Sequence, residues 1–144
     1  MRLPAVVTLF GYAGLLPFLL APAWLAMSPA NVPDWLDTVW LSWCALVAAF
    51  MAGSMWGFAL PACEGSAGRA GLLMSMALVL LAWFATALPF RPALGVLTLT
   101  YLLLLAADFW RERTLGTVGG YFPLRATLTV GVLIAMAWRY SLSI

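Results

Sequence analysis

Five long apolar stretches limit what this chain can fold into. They cover approximately residues 3–27, 38–60, 70–88, 93–109 and 124–142, and Pro, Gly or charged residues bound each of them. A helix needs about 20 predominantly apolar residues to cross the roughly 30 Å of hydrocarbon in a bilayer. None of the stretches alternates polar and apolar residues, as the strands of a membrane barrel do. The pattern therefore predicts an all-α membrane protein, a bundle of five transmembrane helices.

The scarcity of charge agrees with a membrane location. Only 8% of the 144 residues are charged and 65% are hydrophobic, whereas a soluble domain carries about 25% charged residues. We expect a single integral membrane domain over residues 1–144. Arg2 and the segment 21–23, Ala-Pro-Ala, also fit a signal peptide, but the first stretch is longer than the usual core of about 7–15 residues. We therefore retain all five spans.

Missing residue types exclude several kinds of chemistry. The chain has no histidine and no lysine, so imidazole cannot bind haem or zinc, and no Schiff base can form. Cys44 and Cys63 are too few to form a metal site, and we interpret them as apolar thiols. No nucleophile can be paired with a base by spacing. We expect no cofactor, no metal, no catalytic residue and no enzymatic activity, and the net charge of +2 is too small to indicate nucleic-acid binding.

The arginines predict the orientation of the chain. With a cytoplasmic N-terminus, that side of the membrane receives five arginines, and the other side receives Arg91 and Arg139. Because positive residues concentrate in cytoplasmic loops, we expect the N-terminus in the cytoplasm and the C-terminus outside, in a bacterial inner membrane. The five cytoplasmic arginines are Arg2, Arg69, Arg111, Arg113 and Arg125.

Four aromatic residues fall at the predicted outer interface. They are Trp35, Trp40, Trp138 and Tyr140. Their rings combine an apolar body with one polar atom, so we expect them to lie among the lipid headgroups.

Small residues mark the first two spans. Gly11, Gly14 and Pro17 predict a kink in the first. The second span contains small residues at every fourth position, which places them on one helix face. Such a stripe allows two helix backbones to approach closely in lipid, and the partner helix belongs either to this chain or to another. The stripe consists of Ala49, Gly53 and Gly57.

Two ionisable residues lie where the fourth span ends and the fifth begins. Asp108 and Arg125 are placed on the same side of the membrane by the predicted topology, and a charge at the edge of the hydrocarbon is costly unless it is paired or hydrated. Asp108 can pair with Arg125, or with Arg111 three residues later on the same helix face. A structural latch, plain solvation and a ligand or proton role all remain open. The connection between the two spans, residues 110–123, contains three glycines, Gly116, Gly119 and Gly120, and we expect it to be the most mobile segment.

Four segments together resemble a known family. They are residues 11–18 (GYAGLLPF), residues 50–57 (FMAGSMWG), Asp108, and residues 121–129 (YFPLRATLT). In this order they are similar to DUF3429, a family of small, usually five-span membrane proteins of unknown function that includes TMEM69-like mitochondrial proteins. The family pattern has a histidine before the tryptophan of the second span, where this sequence has Met55. The resemblance implies the five-span fold and draws attention to Trp56, Asp108 and Arg125, but it implies no activity.

Two functions are compatible with these observations. The first is a non-enzymatic accessory or assembly component that acts through helix–helix contacts, with the lipid bilayer and a membrane protein or a second copy as partners. The alternative is a binder or carrier of a small lipophilic molecule, a lipid or a quinone, in a cytoplasmic-side cleft. The candidate residues for a latch or for such a ligand cluster are Trp56, Asp108, Tyr121 and Arg125.

Overall fold

The computed structural model describes residues 5–114 and 121–141, and these two ranges contain helices joined by turns and loops, without any strand. The first predicted span consists of two short helices joined by a 3₁₀ turn, and each of the other four corresponds to one long helix. The elements are α1 (Ala5–Ala13), the 3₁₀ turn Leu16–Leu19, α2 (Leu20–Met27), α3 (Leu36–Ala59) with the 3₁₀ turn Leu60–Ala62, α4 (Ser66–Ala85), α5 (Phe90–Thr114) and α6 (Tyr121–Ser141).

Four helical segments in the described residues are long and apolar enough to cross a membrane. They are Leu9–Met27, Leu36–Gly57, Ser66–Ala85 and Phe90–Thr114. The prediction of an all-helical chain is thus confirmed, as are four of its apolar spans by length and composition. The helix α6 is not among the four, and its sequence contains two arginines, Arg125 and Arg139, which lower its hydropathy.

The fourth predicted span is longer than its apolar stretch. It was expected over residues 93–109, but α5 continues to Thr114 and includes Arg111 and Arg113 in its last turn. Arginine is a good helix former, and positive charge is favourable near a helix C-terminus. Asp108 therefore lies inside the helix rather than at its end. Residues 115–120, which contain the three glycines of the connection expected to be mobile, lie outside the described residues.

The first span is interrupted where its glycines and proline predict a kink. The helix α1 ends at Ala13, and α2 begins only at Leu20. At this break Leu15 contacts α6 at Gly131, where an added Cβ would lie 3.2 Å from Cδ1 of Leu15. A glycine at this point therefore lets the interrupted span pack closely against α6.

The core lies between α3, α4 and α5. The helix α3 packs against both α4 and α5, α6 packs mainly against α5, and the first span lies against α3 and α6. Two hydrogen bonds from side chains cross this core. Ser75 of α4 donates to the carbonyl of Ala52 at 2.6 Å, and Tyr101 of α5 donates to that of Cys44, also at 2.6 Å.

One of the predicted interfacial aromatics is in the core instead. Trp40 is only 1% exposed, and its Nε1 donates to the carbonyl oxygen of Phe18 at 2.7 Å. The prediction for Trp40 is therefore wrong, because a carbonyl in the interrupted first span supplies the polar partner that water was expected to supply. Trp35, Trp138 and Tyr140 are exposed, and their position among headgroups stays a prediction.

Candidate functional site

Arg125 is the centre of a buried polar cluster between α3, α5 and α6. It lies in the second turn of α6, and its Nε donates to Oδ2 of Asp108 on α5 at 2.9 Å. Its Nη2 donates to the carbonyl of Met51 at 2.9 Å, and its Nη1 donates to Oγ of Ser54, both on α3. Asp108 is 0% exposed and Arg125 is 5% exposed. One guanidinium group thus joins three helices.

The geometry suits arginine because the guanidinium presents five N–H donors in a fixed planar fork. The carboxylate of Asp108 balances the positive charge, and the two acceptors on α3 use further donors of Arg125. A buried ion pair is tolerated when hydrogen bonds satisfy its polar groups in this way, and removing one partner is costly. The cluster therefore depends on the mutual positions of the three helices.

Arg111 adds a second positive charge near Asp108. It is 1% exposed, and its charge interacts with that of Asp108. The two partners that the sequence leaves open for Asp108 are thus both close to it, but the direct ion pair is with Arg125. Among the described residues, Oδ1 of Asp108 makes no hydrogen bond.

The other two members of the predicted ligand cluster have different positions. Trp56 is 41% exposed on α3, whereas the nearby Met55 is fully buried. Tyr121 is the first residue of α6, and its side chain lies outside the described residues. The structure therefore brings together Asp108 and Arg125 and adds Ser54 and Met51, which the sequence reasoning did not include.

The small-residue stripe of α3 faces outward. A Cβ built at Gly53 or at Gly57 would have no atom within 4 Å among the described residues. Ala49, one turn earlier, is partly buried. Gly53 and Gly57 therefore do not form a contact with another helix in the described part of the chain.

The pattern of the DUF3429 family, described as a protein of unknown function, matches residues 3–140. The chain belongs to DUF3429. No curated protein and no solved structure matches the chain significantly. The resemblance noted from the four short segments is thus confirmed, and the match includes Asp108 and Arg125.

A second ion pair, which the sequence reasoning missed, lies at the opposite end of α6 in this DUF3429 chain. Arg139 donates from Nε to Oδ1 of Asp37 at 3.0 Å and from Nη2 to Oδ2 at 2.7 Å. The guanidinium carbon also lies 4.3 Å from the centre of the Phe90 ring. The signal was present in the sequence, because the predicted topology places Asp37 and Arg139 on the same side of the membrane.

The chemistry available to these DUF3429 residues is that of holding helices together. The pair of Arg139 with Asp37 joins one end of α6 to α3. The pair of Arg125 with Asp108 joins the other end of α6 to α5, and Arg125 also bonds to α3. Within the described ranges, no three His, Cys, Asp or Glu residues are grouped as a metal site would require. Cys44 is buried and Cys63 is partly buried, and both are free thiols.

Proposed function

We propose that this protein is a non-enzymatic membrane component that assists or assembles a larger membrane complex through helix–helix contacts. The observation that carries the proposal is the outward position of Gly53 and Gly57 on α3, with open space in front of both. Apolar side chains gain little by leaving lipid for a protein surface, so membrane helices associate chiefly where small residues let backbones approach. The two glycines offer such a place to a helix of another protein.

The side chains around the glycines give the contact surface its shape. Phe50 is 79% exposed and Trp56 is 41% exposed on α3. With Gly53 and Gly57 they form the α3 notch, a face in which bulky aromatic residues border a shallow recess. A partner helix with its own small or medium residues fits against such a notch through van der Waals contacts.

The proposal includes five membrane spans, with the N-terminus in the cytoplasm of a bacterial inner membrane. The helix α6 has 21 residues, or a length of about 31 Å, which matches the thickness of the hydrocarbon core. Its two arginines pair with Asp108 and Asp37, and pairing reduces the cost of charge inside a membrane. The excess of arginine in the predicted cytoplasmic segments supports the orientation.

The alternative, a carrier of lipid or quinone in a cytoplasmic-side cleft, has less support. The two charged groups that would recognise the ligand, Asp108 and Arg125, bind each other and are almost completely buried. A ligand would have to replace contacts that already satisfy most of the donors of Arg125.

Site-specific crosslinking in native membranes tests the proposal. A photoreactive amino acid at Phe50, in the α3 notch, is expected to crosslink to one distinct membrane protein. The same group at Leu73 of α4, which is 73% exposed, serves as the matched control and is expected to give no such product. The double variant Gly53→Leu with Gly57→Leu should abolish the product, because two leucines fill the recess.

The variant is designed to leave the fold of the chain intact. Nothing lies within 4 Å of either added Cβ among the described residues, and leucine is a better helix former than glycine. Equal crosslinking from Phe50 and Leu73, or recovery of the chain from mild detergent only as a monomer or homo-oligomer, would contradict the proposal.

A further inference from the structure

A groove between α5 and α6 opens at the end of the bundle that contains Arg91. It has a volume of about 640 Å³, and its apolar wall includes Leu94, Leu133 and Met136. Two small residues, Gly95 on α5 and Ala137 on α6, are exposed along it. A Cβ built at Gly95 would have no atom within 4 Å among the described residues. The groove is thus kept open by small residues on both helices.

The groove has a positive charge at one end. Arg91 lines it, is exposed, and lies in the first turn of α5, where the helix dipole is also positive. No carboxylate in the described ranges forms an ion pair with Arg91. The other arginine at this end, Arg139, is held by Asp37. Within the part of the chain that the structure describes, a positive charge without a carboxylate partner therefore lies where the groove begins.

The position of the groove in a membrane determines which molecules can enter it. The helix α5 is long and apolar enough to span, and its first residues are then near the headgroup region of the bilayer. From Arg91 to Thr98, the part of α5 that lines the groove, the helix rises about 10 Å toward the middle of the hydrocarbon. A molecule that fits has an apolar tail in the groove and an anionic group at Arg91.

We propose that this groove binds one anionic phospholipid of the surrounding bilayer, with an acyl chain along Gly95 and the phosphate at Arg91. Phospholipid is the abundant molecule that combines these two features at this depth, and positive residues near a membrane surface attract anionic lipid. The site differs from the cytoplasmic-side cleft considered above, since it lies at the other end of α6 from Arg125. It also lies on helices other than α3, so it is independent of the α3 notch.

Native mass spectrometry of the whole chain tests the proposal. The purified protein is equilibrated with mixed micelles of detergent, phosphatidylglycerol and phosphatidylcholine, and the retained lipid is weighed and counted. The native chain is expected to retain one phospholipid, with phosphatidylglycerol preferred. Gly95→Leu is expected to lower retention at least about tenfold, because the loss of two buried methylene contacts is already worth that factor. Arg91→Gln should lower retention of phosphatidylglycerol about fivefold, the size of one arginine's attraction to anionic lipid.

Matched controls separate the groove from the general lipid surface. Ala106→Leu introduces the same leucine side chain at an exposed position of α5 outside the groove, and Arg113→Gln removes an exposed cation at the other end of that helix. Both controls are expected to retain lipid as the native chain does. Ala137→Leu fills the groove from α6 and should repeat the effect of Gly95→Leu, while circular dichroism and gel filtration check that each variant is folded.

Three results would overturn the proposal. The first is equal lipid retention by the native chain, Gly95→Leu and Ala137→Leu. The second is a loss in Ala106→Leu as large as in Gly95→Leu, which would indicate unspecific surface lipid. The third is a retained mass that does not correspond to a phospholipid. None of these results depends on whether a partner protein occupies the α3 notch.

Discussion

At the scale of single residues, Arg125 shows how a buried charge is accommodated in this bundle. Its guanidinium binds a carboxylate on α5 and two oxygen atoms on α3, so its positive charge and most of its donors are satisfied without water. Asp108 is the one acceptor of the three that has a full negative charge. The stability of the cluster should therefore depend on Asp108 more than on Ser54.

Replacing Asp108 tests this dependence. Asp108→Asn keeps the shape of the side chain but removes its charge, which leaves Arg125 buried without its counterion. We expect the free energy of unfolding to fall by about 3–5 kcal/mol, the usual cost of breaking a buried pair, as measured by unfolding in mixed detergent micelles. The control is Asp34→Asn, an exposed aspartate, which should change the free energy by less than about 0.5 kcal/mol.

Exchanging the two charges is a second test of the ion pair between Asp108 and Arg125. Asp108→Arg combined with Arg125→Asp should recover part of the stability lost in either single variant, because opposite charges again face each other. Recovery should be incomplete, since a carboxylate at position 125 cannot donate to the carbonyl of Met51, which now accepts from Nη2. A double variant no more stable than the weaker single variant would contradict this expectation.

The sequence could predict Asp108 opposite Arg125, but not the complete set of contacts. Both residues follow from the order of spans, because the end of one helix and the start of the next lie on one side of the membrane. The rotation of α3 does not follow, since its outward and inward faces are both apolar. Phe50 is 79% exposed and Met51 is 8% exposed, although hydrophobicity alone does not separate them. Ser54 and the carbonyl of Met51 therefore could not be predicted. For the same reason the sequence does not give the direction of Trp56, which is 41% exposed on α3, and its membership of the cluster stays a prediction.

At the scale of elements, the interrupted first span depends on a hydrogen bond from another helix. In a continuous helix the carbonyl of Phe18 would accept from the residue four positions later, but that residue is Pro22, which has no N–H. The indole of Trp40 on α3 donates to this carbonyl at 2.7 Å. A buried carbonyl left without a donor is costly, so Trp40 compensates for the proline.

Trp40→Phe removes this donor and keeps an aromatic ring. We expect the free energy of unfolding to fall by about 1–3 kcal/mol, the cost of an unsatisfied buried polar group. Amide hydrogen exchange should increase in the residues of the 3₁₀ turn Leu16–Leu19 more than in α4. The same change at Trp83, which is 73% exposed on α4, is the control and should alter neither quantity measurably. Equal losses at the two positions would contradict this role for Trp40.

At the scale of the whole molecule, two ion pairs hold α6 at its opposite ends. Arg125 binds Asp108 at one end, and Arg139 binds Asp37 at the other. The two arginines are 14 residues apart, a distance of about 21 Å along the helix, which is shorter than the hydrocarbon core. A hydropathy index counts each arginine as an unpaired charge, whereas both arginines of α6 are paired in the structure. This pairing supports the proposal that α6 is a fifth span. The kink at the glycines of the first span could be predicted from the local sequence. The pairing of Asp37 with Arg139 joins residues 102 positions apart, so it can be recognised only once the helices are packed together.

Labelling of single cysteines tests whether α6 crosses the membrane and which way the chain is oriented. With Cys44 and Cys63 changed to alanine, a cysteine is introduced in turn at Asp34, Glu64 and Ser141, three exposed positions. Five spans with a cytoplasmic N-terminus place positions 34 and 141 outside and position 64 inside. A membrane-impermeant maleimide added to intact spheroplasts should then react with the first two and reach position 64 only after lysis.

If position 141 reacts together with position 64, α6 does not cross the membrane, and Arg139 could not contact Asp37 on the other side of the bilayer. Reaction of position 64 alone in intact spheroplasts would retain five spans but reverse the orientation, contrary to the distribution of arginines.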